Sequence, residues 1–201
     1  NAFSDRQFGF IKGRSTVMQL LKVLDMWTES LESGGQIDVI YTDLEKAFDK
    51  VPHKRLIIKL YSYNINPEVI SWIQSFLNNR RQQVSIKGFF SLWNKALSGI
   101  PQGSILGPLL FIIFINDLKD ILNNTSDLFL YADDAKLFRH IKEVNDIDLL
   151  QKDLSDIQQW MDKWLLKLNI KKCNVVSCGH HQISKNNYYL HSETAMVSLE
   201  H

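Results

Sequence analysis

Residues 130–138 read Leu130-Tyr131-Ala132-Asp133-Asp134-Ala135-Lys136-Leu137-Phe138, two adjacent aspartates between apolar flanks. Leu128 to Tyr131 has the aromatic and aliphatic character of a strand, and Ala135 to Phe138 suits a second. The pattern is a hairpin with two carboxylates at its tip. An aspartate in a tight turn can do no more than bond nearby amides. Two charges beside buried strands ask for more, because an unpaired charge is costly to desolvate. A functional reading needs a third acid, a loop that can hold phosphate and a reason for cations.

The 201 residues suffice for one sizeable core, or one domain and part of another, and the composition is that of an ordinary globular chain. The longest apolar stretch, Ile105 to Ile115, is about half of what a membrane span needs and is broken by Gly107-Pro108, so no membrane partner is expected. No leader pattern is present, and the opening on Asn1-Ala2-Phe3 suggests a piece of something longer. Cys173 and Cys178 do not make a disulfide framework. With His180 and His181 they superficially resemble a zinc cluster, but no second half-site follows; free thiols in a reducing compartment are expected.

The net charge of +1 hides an asymmetry. Residues 50–95 hold eight Lys/Arg against one acid, Glu68, whereas residues 96–170 hold eleven acids against seven bases. That suits a surface for a polyanion beside another for cations, although a plain solvated face has the same composition.

Along the chain, Ser15-Thr16 caps a helix to about Ser33, with Met18, Leu20, Leu21, Leu24, Trp27 and Leu31 as its apolar side. Ile37 to Asp43 reads as a strand ending in an acid. A second helix precedes Asn64, and Pro67 opens a third. Gln82–Lys87 and Phe89–Leu97 are strands joined near Gly88. A loop at Ser98–Ser104 feeds an apolar helix from about Pro108 to Leu122. After the hairpin come an amphipathic helix over 145–166 and a strand over 172–178; residues 181–201 carry no assignment. The fold class is α+β, helices against a largely antiparallel sheet. In such a sheet the end of the 37–43 strand can lie beside the hairpin tip, bringing Asp43 to Asp133 and Asp134.

Three converging carboxylates repel one another, and two hard divalent cations would neutralise them. Oxygen donors and phosphate chemistry point to Mg²⁺. The loop Gly99-Ile100-Pro101-Gln102-Gly103-Ser104 offers close backbone approach and amide donors, which suits a nucleotide.

Asp43-Leu44-Glu45-Lys46-Ala47-Phe48-Asp49, Gly99 to Ser104, and Tyr131-Ala132-Asp133-Asp134 resemble motifs A, B and C of reverse transcriptases. Gln7-Phe8-Gly9-Phe10-Ile11-Lys12-Gly13-Arg14-Ser15-Thr16 resembles a motif of the non-LTR retrotransposon branch, jockey-like elements included, and Trp164 to Cys173 resembles motif D. The likeness covers roughly residues 5–180 in order. It implies a polymerase palm over 36–180, with finger-side helices about 53–80, a fingers-side helical segment over 1–35, and an uncommitted segment over 181–201.

The resemblance also implies roles. Asp43 and Asp133 would be the principal metal ligands, with Asp134 nearby and the Leu44 carbonyl completing a site for two Mg²⁺ ions, Mn²⁺ being a possible substitute. Phe48 would be the gate that excludes a ribose 2′-OH. Gln102 and Gly103 would contact the incoming dNTP and the template, and Lys172 would protonate the leaving pyrophosphate. Arg80 and Arg81 are assigned to backbone phosphates on charge alone. Each has a plainer reading: Asp43 as a cap, Phe48 as core, Gln102 as a loop residue, Lys172 as one of two exposed lysines. The implied partners are an RNA template and a DNA primer, and the implied setting is intracellular, cytoplasm and nucleus.

The motif that would hold the triphosphate, the primer grip, the thumb and an endonuclease are not recognised in this stretch. Three rival readings remain: an RNA-dependent RNA polymerase, against which Phe48 and Pro101-Gln102-Gly103 weigh, an inactive or domesticated polymerase fold that only binds nucleic acid, and, more remotely, a purely structural interaction domain.

Overall fold

A computed structural model describes residues 3–122, 126–179, 184–192 and 194–201. In chain order the elements are helix α1 (Thr16–Glu32), strand β1 (Gln36–Thr42), helices α2 (Ala47–Lys50), α3 (His53–Ser62) and α4 (Pro67–Leu77), then short strands β2 (Arg81–Gln82), β3 (Ser85–Ile86), β4 (Phe89–Phe90) and β5 (Asn94–Lys95). Helix α5 (Leu106–Ile115) follows, then a 3-10 turn (Leu118–Ile121), strands β6 (Asp127–Tyr131) and β7 (Asp134–Ile141), and helix α6 (Val144–Trp164). A second 3-10 turn (Ile170–Lys172) leads into β8 (Asn174–Gly179), β9 (Tyr189–His191) and β10 (Met196–Ser198). The chain divides into two units, one of Asn1–Glu45 with Ile115–His201 and one of Lys46–Phe114.

The first unit is built on a four-stranded antiparallel sheet in the order β6-β7-β1-β8. β1 is an inner strand covered on both faces, which is why its residues Gln36–Thr42 are buried apart from the half-buried Tyr41. Ile37 and Val39 share one face with Phe129, Phe138 and Phe8, and α1 closes it with Val23, Met26, Trp27 and Leu31. Trp27 meets Phe138 edge-on at 5.7 Å. Each such aliphatic or aromatic side chain stabilises the fold by roughly 1.5–3 kcal/mol when fully buried.

The buried stripe of α1 differs from the expected one. Its buried residues are Gln19 and Val23, whereas Met18, Leu20, Leu21 and Leu24 are exposed. At 3.6 residues per turn, Gln19, Val23, Met26, Trp27 and Leu31 line one side; Met18 and Leu21 point away from it, whereas Leu20 and Leu24 fall at its Trp27–Leu31 edge and are still exposed. The start is as expected: the Ser15 side chain accepts the Met18 amide.

The opposite face of β1 carries Asp38, which is fully buried and accepts from the Tyr188 hydroxyl at 2.7 Å, Asn186 Nδ2 at 2.8 Å and Gln36 Nε2 at 2.8 Å. Burial, then the Asp38 carboxylate, push the Tyr188 hydroxyl well above its ordinary range. This network ties the β9–β10 segment to the sheet. Helix α6 starts on the same face. Asp146 accepts the Lys142 and Glu143 amides and takes two bonds from the Arg139 guanidinium on β7, and Leu150, Leu154, Ile157 and Met161 are buried behind it.

In the second unit Pro52 immediately precedes α3, and the Asn66 side chain caps α4 ahead of Pro67. Ile70, Ile73 and Leu77 form the buried face of α4. α5 is apolar all round, and Leu110, Phe111, Ile112 and Phe114 are buried. It ends at Ile115 rather than running to Leu122, and the Leu118–Ile121 turn is separate. Residues 81–95 form the expected hairpin, in two short ladder segments, Arg81–Gln82 with Asn94–Lys95 and Ser85–Ile86 with Phe89–Phe90.

Cys173 and Cys178 are free thiols, and His180 and His181, the other half of the considered zinc cluster, lie outside the described residues. Burial pushes the Cys173 thiol up, with a backbone hydrogen bond at Asp43 opposing and the Asp43 charge adding to it, as for a core residue.

Candidate active site

The β1–β7 ladder ends on Thr42 opposite Ala135. One residue further on, Asp43 comes level with Asp134, the first residue of β7. The β6–β7 ladder ends on Tyr131 opposite Asp134, leaving a two-residue loop of Ala132 and Asp133. Ala132 turns the chain with φ at +54°. Strand register therefore brings Asp43, Asp133 and Asp134 to one end of the sheet, as expected.

The electrostatics report the same grouping. The Asp134 carboxyl is raised above its ordinary value, first by partial burial and then by the charges of Asp133 and Asp43, with Lys136 opposing. The residue as a whole is exposed, so the raising reflects a carboxyl set against the hairpin and crowded by like charge rather than deep burial. Lys172 Nζ lies 3.6 Å from Asp43 Oδ2, and its side chain is 68% exposed against 30% for Asp43, so this pair is open to solvent.

Asp43 is also held through its backbone. Its carbonyl accepts the Asn169 amide at 2.8 Å, and the Glu45 amide donates to the Lys167 carbonyl at 2.8 Å. Leu44 sits between these bonds in a bridge with Leu168. Ladder alternation then directs the Leu44 carbonyl away from Leu168.

Among the described residues no group of three or more His, Cys, Asp or Glu side chains stands arranged to hold a metal ion. The donors nevertheless fit Mg²⁺ or Mn²⁺ in kind: hard carboxylate oxygens and a carbonyl, crowded enough that a cation relieves repulsion at Asp134. The candidate ligands lie at one sheet end, and rotation of the aspartate side chains would have to bring their oxygens together.

The second unit carries the other expected residues. Phe48, in α2, is half-buried and stacks on Phe111 with ring centroids 4.6 Å apart. The loop after residue 97 is laid along α2: the Gly99 amide donates to the Val51 carbonyl at 2.9 Å and the Ile100 amide to the Phe48 carbonyl at 2.8 Å. Gly99 has φ at +87°, and a Cβ there would lie 2.6 Å from the Asp49 carbonyl oxygen. Gln102 Nε2 donates to Asp49 Oδ1 at 2.9 Å, so Asp49 orients Gln102. Gly103, with φ at +77°, has open space around its α-carbon. Arg80 and Arg81 sit at the root of the 81–95 hairpin, where Arg81 pairs with Lys95 across the ladder, two like charges that a phosphate would neutralise.

One residue with a direct hold on the acid-bearing turn carried no role in the sequence reading. Gln7 is buried and hydrogen-bonds to the backbone of Ala132. Its signal was its place in the Gln7–Thr16 motif, but nothing local shows what a lone glutamine faces.

An antiparallel sheet with one acid off the end of an inner strand and an acid pair at the adjoining hairpin tip is the arrangement expected of a nucleic-acid polymerase palm. The chain belongs to the reverse transcriptase (RNA-dependent DNA polymerase) family, whose model matches residues 1–194. It is 32% identical over 175 residues to the probable RNA-directed DNA polymerase from transposon BS of Drosophila melanogaster, covering 84% of this chain and 19% of that protein. It is 33% identical over 174 residues to the RNA-directed DNA polymerase from mobile element jockey of Drosophila funebris, with 83% and 19% covered. These matches bear out the expected non-LTR, jockey-like resemblance, and the chain spans about a fifth of the length of these relatives. Apo telomerase from Candida tropicalis, truncated from its C-terminal domain, superposes with a TM-score of 0.66 at 16% identity over 90% of this chain and 38% of that one, a likeness of fold. No helix among the described residues is long and apolar enough to cross a membrane.

Proposed function

We propose that this chain is the palm and part of the fingers of a non-LTR retrotransposon reverse transcriptase. It joins a dNTP to the 3′-OH of a DNA primer, copying an RNA template. Asp43, Asp133 and the Leu44 carbonyl would hold Mg²⁺, or Mn²⁺ in its place, with Asp134 supporting them. Two such ions, when bound, activate the attacking oxygen and stabilise the leaving one.

The chain's own residues do the rest. Phe48, stiffened by its stack on Phe111, walls off a 2′-OH. Gln102, oriented by Asp49, and Gly103, with its open approach, contact nucleotide and template. Lys172 donates a proton to the departing pyrophosphate. Arg80 and Arg81 hold backbone phosphates. The remaining finger, thumb and endonuclease functions belong to other parts of a longer protein, which works inside the cell, in cytoplasm and nucleus.

The observation that carries this reading is the register that delivers Asp43, Asp133 and Asp134 to one sheet end. The test is primer extension on an RNA template with Mg²⁺, using this chain and a longer protein containing it. Extension with dNTPs that disappears in Asp133→Asn is expected; extension that survives the substitution contradicts the assignment.

One observation favours a second reading. Lys172 already neutralises part of the Asp43 charge without a metal, as suits a fold that only binds nucleic acid. That reading expects nucleic-acid affinity indifferent to Mn²⁺ and to Asp43→Asn.

A further inference from the structure

We infer that Gln7 is the positioning residue that locks the Ala132-Asp133 turn and so aims the Asp133 carboxylate for cation binding; this rests on the metal-dependent reading above. Gln7 is 1% exposed, so its amide must find partners inside the protein. Its Oε1 accepts two backbone amides at once, Gly9 at 2.8 Å and Ala132 at 2.9 Å, and its Nε2 donates to the Ala132 carbonyl at 3.4 Å. In a two-residue hairpin loop the first loop amide has no ladder partner, and Gln7 supplies it.

The need is specific to this turn. Ala132 sits at φ +54°, a region that L-residues other than Asn, Asp and Gly rarely occupy. Bonding both its amide and its carbonyl to one side chain holds that conformation from a single point. A carboxylate offers the acceptor but no donor, and an aliphatic side chain offers neither.

Gln7 is itself fixed. The segment around it runs parallel to β6, with the Leu130 amide donating to the Arg6 carbonyl at 2.9 Å and the Phe8 amide donating to the Leu130 carbonyl at 2.8 Å. The Arg14 guanidinium donates to the Ser4 and Gln7 carbonyls. Gly9 lets the segment approach: a Cβ there would lie 2.4 Å from the Ala132 nitrogen. Asp133 is the second residue of the same loop, so fixing Ala132 on its two backbone groups fixes the direction in which Asp133 leaves the chain.

The experiment combines amide hydrogen exchange with Mn²⁺ titration of the 201-residue chain, its fold checked by urea unfolding. In the unsubstituted protein the Ala132 amide is protected although it lies at a hairpin tip. In Gln7→Leu it exchanges about tenfold faster or more, and Mn²⁺ binds about tenfold more weakly, as for the loss of a group that orients metal ligands. Gln7→Glu keeps the accepting oxygen but loses the donor and sets a carboxylate against the Ala132 carbonyl, so it does not restore full protection. Gly9→Ala, which leaves Gln7 in place but pushes on the turn, also weakens Mn²⁺. An Ala132 amide that exchanges like an open chain in the unsubstituted protein overturns the proposal, and this measurement needs no variant to fold. Faster exchange with unchanged Mn²⁺ affinity also overturns it, because Gln7 is then only a structural clamp. Asp133→Asn separates the two readings: if it leaves Mn²⁺ affinity unchanged, the metal site and this proposal both fall, whereas a loss there with none in Gln7→Leu removes this proposal alone.

Discussion

The Lys172 ammonium stands 3.6 Å from Oδ2 of Asp43, at the sheet end that also carries Asp134. A cation on Asp43 must compete with it. Because the pair is exposed it is worth no more than about 1 kcal/mol, so Lys172→Ala should tighten Mn²⁺ binding by no more than roughly fivefold. If Lys172 is also the proton donor, the same variant slows nucleotide addition by about a hundredfold. Lys172→Arg separates the roles: it keeps the charge beside Asp43 but does not give up a proton, so metal affinity stays and the rate falls. Calorimetric Mn²⁺ titration and single-turnover rates check both.

The raised Asp134 carboxyl fixes the sign of a pH effect. An aspartate whose folded value lies above its unfolded one imposes a penalty when charged. The penalty is absent below the ordinary value of 3.8, grows as pH rises through the folded value, and stays constant beyond. Asp134→Asn should therefore raise the melting temperature at pH 7 in chelator and leave it unchanged at pH 3. Solvent screening keeps the gain on the order of 0.5 kcal/mol. A melting curve at each pH checks it, and a lower melting temperature at pH 7 would count against like-charge crowding.

Asp146 has the opposite sign. Burial works to raise its carboxyl, but the Lys142 and Glu143 amides and the Arg139 guanidinium together outweigh this and hold it low. Its contribution is present above the unfolded value of 3.8 and is lost as pH falls through the lower folded value. Asp146→Ala should cost about 2 kcal/mol at pH 7, since it uncaps α6 and strands Arg139. Urea unfolding of both proteins from pH 7 to pH 3 checks it, the difference shrinking at the acid end.

Phe48→Ala should relax sugar selection. The variant loses the stack on Phe111, at about 2 kcal/mol for a half-buried aromatic. It should admit rNTPs with a smaller drop from dNTPs than the unsubstituted protein shows. Steady-state incorporation of each nucleotide checks this, and unchanged discrimination would make Phe48 a packing residue.

Much of the palm was legible because its signals are local. Alternation in Leu128–Phe138 marks the hairpin, the Ile37–Asp43 run marks the strand that meets it, and the charges at Asp133 and Asp134 mark the turn. What stayed hidden depends on tertiary contact. Met18, Leu20, Leu21 and Leu24 read as packed residues of α1 along with Trp27 and Leu31, yet only the latter two meet the core, beside Gln19 and Val23, and the apolar pattern alone does not show where the sheet stops. Tyr188 lies in a polar tail whose attachment requires knowing that Asp38, buried in β1, awaits donors. Gln7 acts through backbone groups 125 residues away, which no spacing rule reaches.

The most direct measurement of the central claim is paramagnetic broadening of backbone amides by substoichiometric Mn²⁺. The account predicts that Asp43, Leu44, Asp133 and Asp134 broaden together at the lowest Mn²⁺ and that all four sharpen again in Asp133→Asn. Broadening at 43–44 without 133–134, or centred elsewhere on the chain, would contradict it.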